Sequence, residues 1–271
     1  MASSTIRITT TTESALAPAL GKYLMMDPTT LASQAEKIPS MGGAQIGTTL
    51  RALVRNATPN TAIIEVGCWL GAGTAQIALG ALERTDADVQ IHCYDRWVAN
   101  QAEVEKAAAK GLMLEINEDL LPYVRRFLKP FPYPIEFHQG DIRYASWEGP
   151  PISVYIDDAS KTRRLFLHSL KTFSRHWIPG ETVIVLMDYN MWRKSGNPEH
   201  ACQKEFIEAH PLSFEQIENS LVSIFRYIRP VNVDDWIYQQ QSLLITDLSK
   251  QLSKRTKEIS QMKSSLSWRA T

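Results

Sequence analysis

Acidic residues follow or end several short apolar runs of this sequence. Asp95 ends one run, Asp157 and Asp158 end a second, and Asp188 ends a third. Carboxylates at such positions can accept hydrogen bonds from hydroxyl groups, act as general bases or bind a hard metal ion. A turn with three glycines, EVGCWLGAGT over residues 65–74, precedes all of them. Glycine permits positive φ and a close approach of the backbone to a ligand, so this turn is a candidate binding loop.

The elements that must position these residues alternate along the chain. Apolar, β-rich runs predict strands at Thr61–Val66, Val89–Tyr94, Ile135–His138, Ser153–Ile156, Thr182–Met187, Ser213–Glu218 and Val222–Ile228. Helices are predicted at Thr29–Lys37, Ala44–Asn56, Ala75–Leu82, Gln101–Lys110, Glu115–Leu128 and Arg163–Phe173. Strands that alternate with helices imply an α/β fold with a mostly parallel, seven-stranded sheet, and the last two strands suit a terminal hairpin.

Ligands of open parallel sheets bind outside the carboxyl ends of the strands. The glycine turn follows the first strand, Asp95 the second, and the pair Gly140–Asp141 the third. Taken alone, each has a structural explanation, as a tight turn, a helix cap or an Asx turn. Their occurrence at three successive strand ends favours a ligand-binding site.

The glycine spacing resembles motif I of class I S-adenosylmethionine-dependent methyltransferases and differs from the G-x-G-x-x-G of dinucleotide enzymes. The later runs CYDRW, HQGD, VYIDDASK and WIPGETVIVLMDYN are similar to those of small-molecule and sugar O-methyltransferases, and the resemblance spans residues 40–230. It implies a Rossmann-like methyltransferase fold, S-adenosylmethionine as the cofactor and methyl transfer to a hydroxyl. The chain departs from the family at Asp158 and Ala159, where no counterpart of a catalytic histidine stands.

The resemblance also implies a set of cofactor-binding residues. Asp95 would accept hydrogen bonds from the ribose hydroxyls, and an acid near Asp141 would reach the adenine amino group. The complete expected set is Glu65, Gly67, Trp69, Gly71, Gly73, Thr74, Asp95, Arg96, Gly140, Asp141 and Asp157.

Three aspartates, Asp157, Asp158 and Asp188, are the candidate catalytic residues. In some relatives such a cluster holds Mg²⁺, an ion that prefers oxygen ligands, so the same three are the candidate metal ligands. In a second interpretation Asp157 or Asp158 is a general base or positions the substrate without a metal. In a third, both acids cap the helix that begins near Thr162. The sequence leaves all three open.

The composition narrows the class of protein and its location. Lys and Arg number 29 and Asp and Glu 29, a balance that gives no support to a nucleic-acid partner. The cysteines, Cys68, Cys93 and Cys202, lack C-x-x-C spacing and are expected to be reduced thiols. Neither a long apolar run nor a signal peptide is evident, so we expect no transmembrane segment. A cytoplasmic location is expected, with peripheral contact at the inner face of the membrane through partners.

The C-terminal region carries apolar residues near intervals of seven. They are Ile245, Leu248, Leu252, Ile259, Met262 and Leu266. This heptad seam, interrupted at Arg255, predicts a coiled coil and a homo-oligomer. The segment SSLSWRAT, residues 264–271, resembles one that follows coiled-coil stretches in bacterial enzymes of surface polysaccharide synthesis. That resemblance implies a sugar hydroxyl as the acceptor and polysaccharide-synthesis enzymes as partners.

These patterns divide the chain into three parts. Residues 1–28 form a Ser- and Thr-rich segment that we expect to be flexible, residues 29–232 the methyltransferase domain, and residues 233–271 the helical tail. Two alternatives to the glycan O-methyltransferase stay open. One is a natural-product or phenolic O-methyltransferase, and the other is an inactive scaffold that oligomerises through its tail.

Overall fold

The computed structural model describes residues 27–85, 88–220 and 222–268. Its strands are β1 (Ala62–Val66), β2 (Gln90–Asp95), β3 (Ile135–Gln139), β4 (Ile152–Asp157), β5 (Val183–Leu186), β6 (Phe214–Asn219) and β7 (Ser223–Tyr227). They form one seven-stranded sheet in the order β3-β2-β1-β4-β5-β7-β6. The first five strands are parallel, and β7 runs antiparallel to both β5 and β6. The predicted mostly parallel sheet and its terminal hairpin are confirmed.

The helices are α1 (Pro28–Glu36), α2 (Ala44–Arg55), α3 (Ala72–Leu82), α4 (Gln101–Ala108), α5 (Leu121–Leu128), α6 (Arg163–Phe173), α7 (Cys202–Ala209) and α8 (Val233–Trp268). Helices α1 to α5 contribute to the core on one face of the sheet, with Leu50 and Ile77 among its fully buried residues. Phe166, Phe206 and Trp236, from α6, α7 and the start of α8, belong to the core on the other face. Every residue of β1 and of β4 is buried, as expected for strands covered on both faces.

The turn between β1 and α3 depends on two glycines with positive φ. Gly71, at φ 86°, is the residue before α3, so the helix begins three residues earlier than predicted. Gly67 has φ 90°, and a Cβ there would lie 2.8 Å from the backbone carbon of Asp158. The turns that follow β1 and β4 are therefore in backbone contact, which a side chain at residue 67 would prevent.

The helix predicted over Glu115–Leu128 is wrong in its first half, because α5 begins only at Leu121. Asn117 has φ 66°, outside the helical region. The carboxylate of Glu118 accepts the Glu115 N–H instead, and the Glu118 carbonyl accepts the N–H of Ala99. These side-chain caps and the pairing with a distant segment satisfy backbone groups that a helix would otherwise use. Helix α7 had no counterpart among the predicted elements.

The C-terminal helix α8 changes character along its length. Trp236 and Ile237 are buried in the core, whereas Ile245 and Leu252 are 65 % and 69 % exposed. In the described part of the chain, no helix combines the length and apolarity that a bilayer span requires. The Ser- and Thr-rich segment up to residue 26, the side chain of Leu266 and the last three residues of the SSLSWRAT segment lie outside the described part.

Candidate functional site

Two adjoining cavities lie at the carboxyl edge of the parallel strands. The N-terminal cavity, about 640 Å³, lies between the α1–α2 region and the glycine turn, and Glu65 and Gly73 are among its lining residues. The strand-end cavity, about 520 Å³, is bounded by residues after β2, β3 and β4. Four residues line both: Met41, Gly67, Trp69 and Asp158. The cavities are thus two parts of one concave site.

Asp95, at the end of β2, holds the glycine turn in place. Its Oδ2 accepts the backbone N–H groups of Cys68 and Trp69, at 2.8 Å each. Its Oδ1 accepts the N–H of Trp97 at 2.8 Å. Trp69 and Trp97 have φ of 45° and 47°, an unfavourable region for a non-glycine residue that these bonds help to stabilise. Asp95 also lines the strand-end cavity, where Oδ1 retains a lone pair for a ligand hydroxyl.

Glu65 is a buried carboxylate under the start of α3. Its Oε2 accepts the Thr74 hydroxyl at 2.6 Å, and burial raises the pKa of Glu65 to about 7. A Cβ at Gly73 would collide with Oε1, so a larger residue there would displace the Glu65 carboxylate. Thr74 is fully buried and so can act on the site only through Glu65.

Gly71, predicted to bind the cofactor, lines neither cavity. A Cβ at this position would instead meet Val124 and Leu128 of α5, at 3.3 and 3.2 Å. Helix packing and the positive φ of the turn account for this glycine, and a ligand is not needed to explain it.

Three predicted residues stand together at the strand-end cavity, namely Arg96, Gly140 and Asp141. Nothing lies within 4 Å of the position of a Cβ on Gly140, so the backbone there is open. Both carboxylate oxygens of Asp141 lie 3.0 Å from Nε of Arg143. This pairing holds the pKa of Asp141 at about 2, and its carboxylate stays ionised at the cavity rim.

Asp157 lies away from the cavities, in contrast to its predicted catalytic, cofactor-binding and metal-binding roles. Its side chain is fully buried, and Oδ1 accepts the N–H groups of Ser160 and Ala159 at 2.9 and 3.2 Å. Oδ2 accepts the Tyr155 hydroxyl at 3.0 Å. Asp157 and Asp158 diverge because successive side chains at a strand end point to opposite faces. Asp157 holds the turn after β4, which is closest to the capping role that the sequence left open.

Asp158, Lys161 and Asp188 form the charged cluster of the site. Nζ of Lys161 lies 3.5 Å from Oδ2 of Asp188 and 4.0 Å from Oδ1 of Asp158. The side chain of Asp158 is 44 % exposed at the cavity junction, and desolvation by the surrounding residues raises its pKa to about 7 against the opposing effect of the Lys161 charge. Burial also raises the pKa of Asp188, whose side chain is only 16 % exposed. Lys161 was absent from the predicted site set, and its position three residues after Asp158 was the available signal.

The predicted magnesium set does not assemble at this site. Asp157 points into the core, and the ammonium of Lys161 already lies beside the other two aspartates. Among the described residues, the clusters of three or more close His, Cys, Asp or Glu side chains do not include these aspartates; they are Glu65, Cys68 and Cys93, and His92, Glu136 and His138. The residues present therefore do not fit the predicted ion.

Comparison with known proteins identifies the fold. No protein-family model matches the chain, and no curated protein matches it either. Among solved structures, the O-methyltransferase NovP matches with a TM-score of 0.53 at 15 % identity, over 70 % of this chain and 83 % of that one. The chain has a Rossmann-like methyltransferase fold. A putative O-methyltransferase from Klebsiella pneumoniae has the same methyltransferase fold, with a TM-score of 0.51 at 17 % identity over 80 % of this chain and 97 % of its own.

Substitutions at the two neighbouring aspartates should separate a role in stability from a role in the chemistry of the site. Asp157→Ala leaves two backbone N–H groups and the Tyr155 hydroxyl without their acceptor, so we expect a loss of about 1–3 kcal/mol in the free energy of unfolding. Asp158→Ala is the matched control and should change that free energy by less than about 0.5 kcal/mol. Urea denaturation followed by circular dichroism measures both. Equal effects in the two variants would contradict the role assigned to Asp157.

Proposed function

We propose that this protein is an S-adenosylmethionine-dependent O-methyltransferase that modifies a sugar hydroxyl of a glycan. One observation carries the methyltransferase proposal: Asp158, a carboxylate with its pKa raised to about 7, lines both cavities. Asp158 can thus accept a proton at the place where a ligand in the strand-end cavity would meet a ligand in the N-terminal cavity. The methyltransferase fold supports S-adenosylmethionine and a methyl acceptor as these two ligands.

The strand-end cavity suits the nucleoside part of the cofactor. Asp95 and Asp141 offer carboxylate oxygens for hydroxyl and amino groups, and Gly140 leaves the backbone open between them. Trp69 lines both cavities and so stands where the two parts of the site join. When bound, S-adenosylmethionine supplies a methyl group carried on a sulfonium.

The residues of this chain must align the acceptor hydroxyl and take its proton. Alignment falls to the walls of the N-terminal cavity, since a displacement needs the reacting atoms held in line. We assign proton acceptance to Asp158, because a base with a pKa near 7 is half-ionised at neutral pH and still basic enough to act. Lys161 positions Asp158 electrostatically, and Asp188 in turn holds Lys161.

The glycan acceptor rests on the resemblance of residues 264–271 to a segment of polysaccharide-synthesis enzymes. Natural-product and phenolic hydroxyls are the alternative acceptors for the same chemistry. Transfer of a radiolabelled methyl group to a panel of nucleotide sugars, oligosaccharides and catechols separates these classes. Methylation of catechols alone would replace the glycan proposal with the phenolic one.

Cofactor binding is the first test. We expect S-adenosylhomocysteine to bind with a micromolar Kd in isothermal calorimetry, unchanged by Mg²⁺ or EDTA, because Lys161 stands beside the carboxylates. NAD is the matched control and should give no heat, since the glycine spacing differs from that of dinucleotide enzymes. Absence of S-adenosylhomocysteine binding by the folded protein would favour the inactive scaffold, and a dependence on Mg²⁺ would restore the metal interpretation.

The pH profile tests Asp158 as the base. We expect kcat/KM to fall as pH drops below about 7, because protonation removes the acceptor, and Asp158→Asn to lose about 10²–10⁴-fold in rate. Lys161→Met removes the charge that lowers the pKa of Asp158, so the acidic limb should move to higher pH. Lys171→Met, at the far end of α6, is the control and should leave the profile unchanged. A Lys161→Met enzyme with an unshifted limb would contradict this assignment.

We also propose that α8 pairs with α8 of a second copy of this chain. The predicted heptad seam of this helix is exposed: Ile245, Leu248, Leu252 and Ile259 share one face and are between 53 % and 69 % exposed. Burying such a row against an identical helix removes apolar surface from water and stabilises the pair. The helix continues well beyond the part that packs on the domain, so these apolar side chains are accessible to a partner helix.

Sedimentation velocity tests the pairing. Leu252→Glu should convert an oligomer to a monomer, because it places a charge in the apolar row. Lys250→Glu adds the same carboxylate two residues earlier on the helix, away from the row, and should leave the oligomer intact. A wild-type protein that sediments as a monomer at micromolar concentration would overturn the proposal and leave the row for a different partner.

A further inference from the structure

A second cluster of potential ligands lies on β2 and β3, outside the two cavities. His92 of β2 and Glu136 of β3 are register partners, and His138 follows two residues after Glu136. Because alternate residues of a strand share a face, the three side chains project from the same side of the sheet. None of them lines either cavity.

The ligand atoms of this cluster are spaced as those around a single ion. Nδ1 of His92 lies 3.1 Å from Nε2 of His138 and 3.4 Å from Oε2 of Glu136. Bond lengths of about 2.0–2.2 Å in a tetrahedral zinc site place neighbouring ligand atoms about 3.2–3.6 Å apart. The remaining distance, 4.0 Å from Nε2 of His138 to Oε2 of Glu136, closes with a small movement of the glutamate. Its side chain is 68 % exposed and can make that movement.

The imidazole rings are held in position by their neighbours. His138 stacks on Tyr94 with ring centroids 4.2 Å apart, and His92 meets the ring of Trp147 edge-on at 4.6 Å. Oε1 of Gln90 lies 3.4 Å from Nε2 of His92 and can accept a hydrogen bond from an N–H there. That leaves Nδ1 of His92 with a lone pair directed at the other two ligands. An outer partner of this kind is usual for histidines that bind metal ions.

We propose that His92, Glu136 and His138 bind a divalent transition-metal ion, of which zinc is the best fit to two imidazoles and one carboxylate. The neutral imidazole is the form that binds a metal ion. Water completes the coordination through the exposed side of Glu136. The ion joins β2 to the edge strand β3 and so fixes the strand end that carries Gly140 and Asp141. This site is independent of the proposed methyl transfer.

Metal titration of the chelator-stripped chain tests the site. We expect one equivalent of Zn²⁺ to bind with a micromolar or lower Kd in calorimetry, and to raise the Tm. Co²⁺ should give the visible absorption of a tetrahedral ion without a thiolate charge-transfer band, because no cysteine is a ligand. Glu136→Gln and His138→Gln should each weaken Zn²⁺ binding at least tenfold. Glu148→Gln, at an exposed position, and His200→Gln, in the short 3-10 helix Pro198–Ala201, are matched controls away from the cluster and should bind as the wild type does.

Three results would overturn the proposal. A thiolate band with Co²⁺ would place the ion at Glu65, Cys68 and Cys93. Unchanged Zn²⁺ affinity in both Glu136→Gln and His138→Gln would place the ion outside the cluster of His92, Glu136 and His138. Absence of any Zn²⁺ binding by a folded protein that still binds S-adenosylhomocysteine would show that the three side chains form only a hydrogen-bonded group.

Discussion

The carboxylate of Asp95 accepts three backbone N–H groups, and the geometry of the site depends on these bonds. They join the end of β2 to the turn after β1, and they hold Trp69 and Trp97 at positive φ. Indole Nε1 of Trp97 then donates to the carbonyl of Trp69 at 2.9 Å, which closes the arrangement. A charged acceptor is suited to this task, since hydrogen bonds to an ionised group are about twice as strong as neutral ones.

A close contact between backbones extends this constraint from the turn after β1 to the turn after β4. Gly67 brings the turn after β1 against the backbone at Asp158, and the Asp158 N–H donates to the carbonyl of Val66 at 2.8 Å. Asp157, one residue earlier, is turned inward and holds the same loop from beneath. A cavity-lining carboxylate and a structural one therefore stand side by side, and the alternation of side chains separates their positions.

Charge is distributed unevenly over the two cavities. In the strand-end cavity Arg143 keeps the carboxylate of Asp141 ionised, so that side can accept hydrogen bonds at any physiological pH. At the junction, desolvation brings the pKa of Asp158 near neutrality, and Lys161 opposes that shift. A pair of carboxylates in different environments can thus divide binding and proton transfer between them.

Much of the fold followed from the sequence alone, because β1 and β4 are buried on both faces and are recognisable as short, largely apolar runs. The glycine turn and the acids at the strand ends likewise predicted a site at the carboxyl edge of the sheet, where the structure has two adjoining cavities. Tertiary structure decided which aspartate faces the cavity. The alternation of side chains puts Asp157 and Asp158 on opposite faces, but only the packing of the sheet shows which face is the core. Tertiary structure also decided the pairs that join distant segments, such as Lys161 with Asp188 and His92 with His138, 46 residues apart. The local residue pattern specifies a helix or a strand, whereas contacts between these elements depend on the order of the strands in the sheet.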